Sequence, residues 1–516
     1  MVLVLVVGAL LVATAVARRL GLPAPIVLLV AGALLSLTPA LRDFQLVPEV
    51  VILLFLPALL YWEALTTSLR EIRADLRVIV LSSVVLVLFT VVTVAWVGHA
   101  MGLSWPVAFV LGAVVAPTDA TAVAAVAGRL AHRQLTILRA ESLVNDGTAL
   151  VVFAIAVSVA TGERELTWYA PLGDFALSYV GGAVVGLVVA WLRVQAHKLM
   201  RGVTVAESAL SVLTPFVAFL LAEEIHASGV LAVVVAGLML TQYGPRLISA
   251  RTRLQTYGFW QVTTFLLNGA LFVLVGLQLN GAVRDVGGAL SHAVWMALAV
   301  AGTVILTRLV WSYTTPYVIR ALDRRPAQRL RRVGARQRLP IAWSGFRGAV
   351  SLAAALAVPA SVSHRNELII VTFGVILVTL VVQGLTLPAV LRWAHLPADR
   401  RLAEEYALAQ RLSVEAGLSA MPEMAARLGV SAAAVDRLTA DYQAKLSRLS
   451  AGEDAPDEPD ERTEVESLRN ALLPVKRATV VRLRDEHVIS DTVLLRLQAV
   501  LDAEENRINP PSTIDE

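Results

Sequence analysis

Thirteen apolar stretches constrain this chain more than any other feature of its sequence. They lie near residues 3–18, 22–38, 47–66, 76–100, 104–128, 135–160, 170–195, 204–224, 226–243, 258–280, 288–318, 339–360 and 366–392. About 20 apolar residues in helix cross a hydrocarbon core of about 30 Å. Inside that core each backbone N–H and C=O needs an internal partner, which a helix supplies. The expected fold is therefore an all-α polytopic membrane protein of about 13 transmembrane helices. Composition agrees, at 57% hydrophobic and 16% charged residues and a mean hydropathy of +0.69. The absence of cysteine excludes disulfides, zinc–thiolate sites and thiol catalysis.

Charge separates the chain into two parts. Residues 396–516 hold 15 basic and 23 acidic residues, a net of −8, whereas residues 1–395 hold 29 and 17, a net of +12. The basic surplus sits between spans, so it implies no nucleic-acid partner. Alternate loops carry Arg18/Arg19, Arg70/Arg73/Arg77, Arg129/Arg133/Arg139, Arg193/Lys198/Arg201, Arg246/Arg251/Arg253 and the Arg320–Arg338 run. The loops between them hold only Arg42, Arg164, Arg284 and Arg365. The positive-inside rule places the first set in the cytoplasm. An odd number of spans then puts the N-terminus outside and the C-terminus inside. No basic region precedes the first apolar run, which is expected to be a retained span rather than a signal peptide.

Intramembrane charge locates the candidate site. In ILRAESLVNDGTALVVF, starting at Ile137, Glu141 and Asn145 share one helix face, and Ser142 and Asp146 share the adjacent one. A carboxylate at mid-bilayer costs about 2.5–3.5 kcal/mol on insertion scales, so such groups face a protein interior or an aqueous cavity. The competing explanation is a buried polar network that only locks helices together. Two further spans carry breaks. GAVVAPTDATAVAAV places Pro117, which lacks a backbone donor, before Thr118 and Asp119. IAWSGFRGAVSLAAAL places Gly345 and Gly348 around Arg347. These spans run in opposite directions in the two halves, the mark of an inverted-repeat transporter; ordinary kinks are the alternative. Arg308 lies deep in another span and needs a buried anion, for which Glu141 is the natural candidate. Glu63 sits near the inner end of the third span and Glu207 near the start of the eighth. Glu223, Glu224, His99, His226 and His292 are expected to be interfacial. After Trp393 the chain becomes charged and rich in Ala and Leu, with an acidic linker at 452–464 and helical periodicity at 464–507. This tail shows no phosphate loop, nucleophile arrangement or metal cluster.

Taken together, APTDATAV, ESLVNDGTALVVF, AEEIHASGVLAVVVAGL, FWQVTTFLLNGALFVLVGLQL and GFRGAVSLAAAL resemble the monovalent cation–proton antiporters of the NhaP/NHE type over residues 1–395. The resemblance implies a homodimer in the plasma membrane, a bacterial inner membrane, with two crossed broken helices in each protomer. Core helices would span about 76–160 and 288–392, and dimerisation helices about 1–66 and 170–280. Asp146 matches the essential acidic residue and Asn145 its partner. Thr118, Asp119 and Ser142 match the other Na⁺-site positions, and Glu63 matches a further acidic position near the ion. Glu141 and Arg308 match a buried pair that steadies the core, and Pro117, Gly345, Arg347 and Gly348 match the breaks. The implied activity is Na⁺(Li⁺)/H⁺ antiport by elevator-type alternating access, serving pH and sodium homeostasis. The Asn–Asp pair implies electroneutral 1:1 exchange, with Asp119 the other carboxylate able to carry a second proton. Residues 396–516 would be a cytoplasmic helical regulatory tail. The chain is read as a transporter rather than an enzyme, with no cofactor beyond the transported ions. K⁺/H⁺ antiport is the alternative within transporters, and a cation channel gated by the tail is the alternative outside them. An intramembrane hydrolase lacks any supporting Ser–His, His–His or Asp–Asp arrangement.

Overall fold

The apolar runs fold as helices, and two of them fold as pairs of half-helices. The computed structural model describes residues 2–38, 41, 48–124, 130, 132–163, 170–200, 202–248, 250–286, 290–322, 334–395 and 401–451, with 474, 482, 486 and 503 beyond them. It contains two compact units, Met1–Ala398 and Asp399–Glu516. No strand occurs among the described residues.

The first unit opens with α1 (Val2–Leu20), α2 (Ala24–Leu35), α3 (Val51–Thr66), the short α4 (Leu69–Ala74) and α5 (Leu76–Ala100). Local chemistry sets several boundaries. Pro25 sits in the first turn of α2, where its missing donor costs nothing. Ser68 caps α4 by accepting the Glu71 N–H at 3.4 Å. Pro57 cannot donate within α3, and just before it the ladder widens into a π turn over Val51–Phe55, with Leu56 N–H reaching back to Val51 O. Similar π turns occur in α5 at Leu81–Val85 and near the end of the unit at Thr379–Gln383.

The fifth expected span is α6 (Trp105–Val115), an unwound stretch, and α7 (Ala120–Ala124). Then follow α8 (His132–Ala160), α9 (Ala170–Leu199), α10 (Thr204–Glu224), α11 (Gly229–Leu247), α12 (Ala250–Val286) and α13 (Leu290–Leu322). The twelfth span is α14 (Ala335–Trp343), an unwound stretch over 344–348, and α15 (Ala349–Leu356), followed by α16 (Arg365–Ala394). Seven described helices are each long and apolar enough to cross a membrane: α5, α8, α9, α10, α12, α13 and α16. Four shorter apolar helices accompany them: α2, α3, α6 and the Gly229–Tyr243 part of α11. Helix length therefore does not by itself return the expected thirteen, because some spans are short and two are broken.

Helix α8 packs on α6 and on the π turn of α5. α13 packs on α5 and α16, α9 runs along α11, and α11 packs on α3. The ion pair and both breaks thus lie within one group of packed helices. Several basic residues expected in loops lie within helices, among them Arg18 and Arg19 in α1, Arg139 in α8 and the buried Arg338 in α14. Arg193 lies buried in α9, not in a loop, with its Nη2 donating to Glu207 O at 3.4 Å. Of the residues that set the expected orientation, Arg42, Arg129, Arg164, Arg201 and 323–333 lie outside the described residues. So does the acidic linker at 452–464, together with nearly all of 464–507.

In the second unit α17 (Arg401–Leu428) and α18 (Ala432–Ala451) pack against each other. Gly429 ends α17 at φ +67°, and Val430 N–H turns back to Ala425 O at 3.1 Å. Across the pair, Thr439 Oγ1 donates to Met421 Sδ at 3.2 Å.

Candidate functional site

Helix α8 supplies four polar side chains within two turns, and all of Glu141, Ser142, Asn145 and Asp146 are buried. Their partners do not follow the two faces, because Asn145 and Ser142 both reach Thr118 while Glu141 reaches Arg308. Glu141 Oε1 accepts from Arg308 Nη1 of α13 at 2.5 Å, with both side chains about 5% exposed or less. Arg308 Nε also donates to Ile341 O of α14 at 3.4 Å. The pair therefore ties α8 and α13 to the half-helix that leads into the second break.

The other polar groups of α8 meet the first break. Ser142 Oγ donates to the Thr118 carbonyl at 2.9 Å and accepts from Ala120 N at 3.4 Å. Asn145 Nδ2 donates to Thr118 Oγ1 at 2.6 Å. Unwinding at Pro117–Asp119 frees backbone groups that a bilayer cannot satisfy, and these side chains take up part of that debt. Asp119 Oδ1 accepts from Thr121 N at 2.9 Å, Thr121 Oγ1 at 2.5 Å and Ala122 N at 3.2 Å, which caps the restart of the helix.

The two breaks cross in direct backbone contact. Asp119 N–H donates to Phe346 O at 2.8 Å. Arg347 Nε donates to Val115 O, at the C-terminal end of α6, at 2.7 Å, and its Nη1 donates to Gly345 O at 2.6 Å. A guanidinium at a helix C-terminus satisfies open carbonyls and opposes the helix dipole. The Arg347 N–H in turn donates to Thr379 Oγ1 at 3.3 Å. Gly348 has no alternative at the crossing, since a Cβ there would lie 2.7 Å from Asp119 Cβ and Cγ.

Among the buried oxygens that lack a partner, three belong to residues of the candidate site. Asp146 Oδ1, Asn145 Oδ1 and Glu63 Oε1 have no hydrogen-bond partner. Asp146 is 4% exposed and lies within electrostatic reach of Glu63 and Asp119. An unpaired buried carboxylate oxygen is costly and calls for a proton or a cation. Hard monovalent cations take oxygen ligands of this kind. Among the described residues, no group of three or more His, Asp or Glu side chains is arranged to hold a resident metal ion. Beside Asn145 lies a cavity of about 10 Å³, walled by Ser82, Thr90, Thr118, Glu141, Arg308 and others, about the room of one water.

The structure thus brings Thr118, Asp119, Ser142, Asn145, Asp146, Glu63, Glu141 and Arg308 into one region, with Pro117, Gly345, Arg347 and Gly348 at the crossing. Sequence reasoning placed Arg347 only as a charge at a break. Its hold on Val115, 232 positions away, has no local signal. Thr379, Ser82 and Thr90 were also missed, being ordinary hydroxyls in apolar runs. Glu207 is buried and accepts from Thr252 Oγ1 at 2.6 Å and Gly202 N at 3.1 Å. Glu223, Glu224, His99 and His226 are exposed, in keeping with positions at span ends. His292 is exposed and bonds Glu367 Oε1 at 2.7 Å through Nδ1, while His364 bonds the other oxygen at 2.9 Å.

Comparison with known proteins follows the same lines. The family described as sodium/hydrogen exchanger, transmembrane, matches residues 6–393. An uncharacterised Na⁺/H⁺ exchanger of Mycobacterium tuberculosis is 45% identical over 523 residues, covering 99% of this chain and 96% of the relative. The Na⁺/H⁺ antiporter ApNhaP of Aphanothece halophytica is 31% identical over 396 residues, covering 74% and 73%. The solved structure of the sodium proton antiporter MjNhaP1 from Methanocaldococcus jannaschii at pH 8 superposes with a TM-score of 0.60 at 20% identity. That match covers 77% of this chain and all of the other, and it bears on the fold.

Proposed function

This chain belongs to the sodium/hydrogen exchanger family, and from that premise we propose that it exchanges Na⁺ or Li⁺ for a proton at Asp146 by alternating access. The observation that carries the reading is the buried, unpartnered Oδ1 of Asp146 beside a crossed pair of helix breaks. A proton and a cation compete for that oxygen, so loading one expels the other. Asp119, Ser142, Thr118 and Glu63 complete the cation's oxygen ligands. Glu141 does not exchange, because Arg308 holds it, and Asn145 has no proton to give.

In this account the helices of about 76–160 and 288–392 move as a core against those of about 1–66 and 170–280, which form the homodimer. The chain sits in the plasma membrane, with the N-terminus outside and a regulatory tail inside. One proton moves per cation, so transport carries no net charge. Glu63, rather than Asp119, is the residue that threatens this stoichiometry. Asp119 Oδ1 is engaged by three donors, whereas Glu63 Oε1 is as bare as that of Asp146.

The test is proton movement in proteoliposomes driven by Na⁺, Li⁺ or K⁺ in turn, under a clamped membrane potential. The account expects Na⁺ and Li⁺ to drive proton flux at a rate unaffected by voltage. Flux with K⁺ alone overturns the cation assignment. A voltage-dependent end-point overturns the 1:1 stoichiometry and directs attention to Glu63. Single-channel current without proton flux overturns exchange altogether.

A further inference from the structure

Around Asn145 and Asp146, a phenol of α9 meets helix α8. Tyr179 OH donates to Val144 O at 3.2 Å and shares a 2.6 Å hydrogen bond with Thr148 Oγ1. Thr148 Oγ1 also lies 2.9 Å from Val144 O, to which it donates when Tyr179 OH donates to Thr148 instead. Each hydroxyl has one proton, so two hydrogen bonds at a time link these three oxygens around the turn of α8 that holds the two site residues, and Tyr179 lies within electrostatic reach of Asp146.

The opposite end of this contact is rigid. Helix α9 lies backbone to backbone on α11, because a Cβ at Gly182 would stand 2.5 Å from Ser228 O and one at Gly186 2.5 Å from Ala232 O. Ser228 N–H donates to Ser178 O at 3.1 Å, one residue before the phenol. Phe175 stacks on the Tyr179 ring at a centroid distance of 4.7 Å and fixes its direction. Helix α11 packs in turn on α3, which carries Glu63. On the other side α8 belongs with α6 and the breaks. The seam between α8 and the α3–α9–α11 body is therefore the surface that must shear if the acidic turn moves.

We propose that Tyr179 is a positioning residue whose hydroxyl latches the Val144–Thr148 turn of α8 onto α9, and that opening this latch sets the pace of turnover. This rests on the alternating-access reading above. A single neutral hydrogen bond changes an equilibrium by about 2- to 12-fold. Tyr179→Phe keeps the stacked ring and removes the hydroxyl, so maximal exchange rises by about that factor.

The chain has no cysteine, which makes a single reporter thiol unambiguous. Val230 of α11 is 3% exposed and faces Gly147 across the seam, its Cγ1 3.5 Å from where a Gly147 Cβ would stand. Val230→Cys places a thiol there. The experiment measures thiol labelling in membranes and exchange in proteoliposomes, each with and without Tyr179→Phe. Thr148→Val, which removes the partner hydroxyl, serves as the second variant should Tyr179→Phe not fold. The latch predicts faster labelling and faster exchange, both by about 2- to 12-fold. Labelling that is unchanged, or exchange that stays level or slows, overturns it. If the wild type exchanges no ions, the transport reading falls, while the labelling rates still decide whether the hydroxyl closes this seam.

Discussion

Breaking the Glu141–Arg308 pair has a cost that the surroundings of the pair allow to be ranked. Both side chains are about 5% exposed or less, and Arg308 Nη1 donates to Glu141 Oε1 at 2.5 Å. Removing one member of a buried pair leaves an uncompensated charge, at about 3–5 kcal/mol. The two single removals are not equivalent. Arg347 lies within electrostatic reach of both Glu141 and Arg308. Arg308→Gln leaves Glu141 with Arg347 still near, so it belongs at the low end, about 3 kcal/mol. Glu141→Gln leaves two buried guanidinium groups repelling each other, so it belongs at the high end, about 5 kcal/mol. The double variant carries neither stranded charge and should recover about 2–3 kcal/mol relative to the sum of the singles. Thermal unfolding of detergent-solubilised protein, followed by intrinsic tryptophan fluorescence and by monodispersity on size exclusion, provides the assay. Single variants that melt like wild type, or a double variant whose loss is the plain sum of the two, would refute the pairing energetics. A Glu141→Gln protein more stable than Arg308→Gln would refute the part assigned to Arg347.

Three further outcomes are expected. Asp119→Asn keeps an acceptor for the Thr121 and Ala122 donors and so should fold, while cation-driven exchange shows a weaker apparent affinity; an unchanged affinity places Asp119 outside the site. Gly348→Ala forces a Cβ into Asp119 at the crossing and should cost about 1–3 kcal/mol of stability together with most activity; wild-type melting and transport would show that the crossing yields. Truncation near Arg400 should leave exchange measurable with an altered rate or pH dependence. A folded truncated protein without exchange would make the tail part of the transport machinery.

Much of the candidate site was legible because intramembrane charge is scarce. With so few ionisable groups in the apolar runs, Arg308 had one natural partner, and the i, i+4 register of α8 put Glu141 with Asn145 and Ser142 with Asp146. Pro117 and the Gly345–Gly348 segment announced the breaks, since each removes a donor or a side chain where a helix would otherwise continue. Less was readable wherever the outcome depended on which faces of distant helices meet. The Arg347 side chain ends on Val115 O and the Asp119 N–H on Phe346 O, and bonds to distant backbone carbonyls are encoded in no spacing. Tyr179 reads as one aromatic among many until α9 is seen lying on α11. Positive charge in the loops misjudged Arg193, whose burial follows from the Glu207 carbonyl it reaches.

The central claim is that Asp146 is the carboxylate at which proton and cation exchange. Its most direct test is Na⁺-driven proton movement in proteoliposomes containing wild-type protein or Asp146→Asn, with folding checked by melting and size exclusion. Asparagine keeps the shape of the side chain and removes the titrating oxygen. The account predicts that the variant melts near the wild-type temperature and moves protons no faster than protein-free vesicles. Proton movement above that background in folded Asp146→Asn would contradict it.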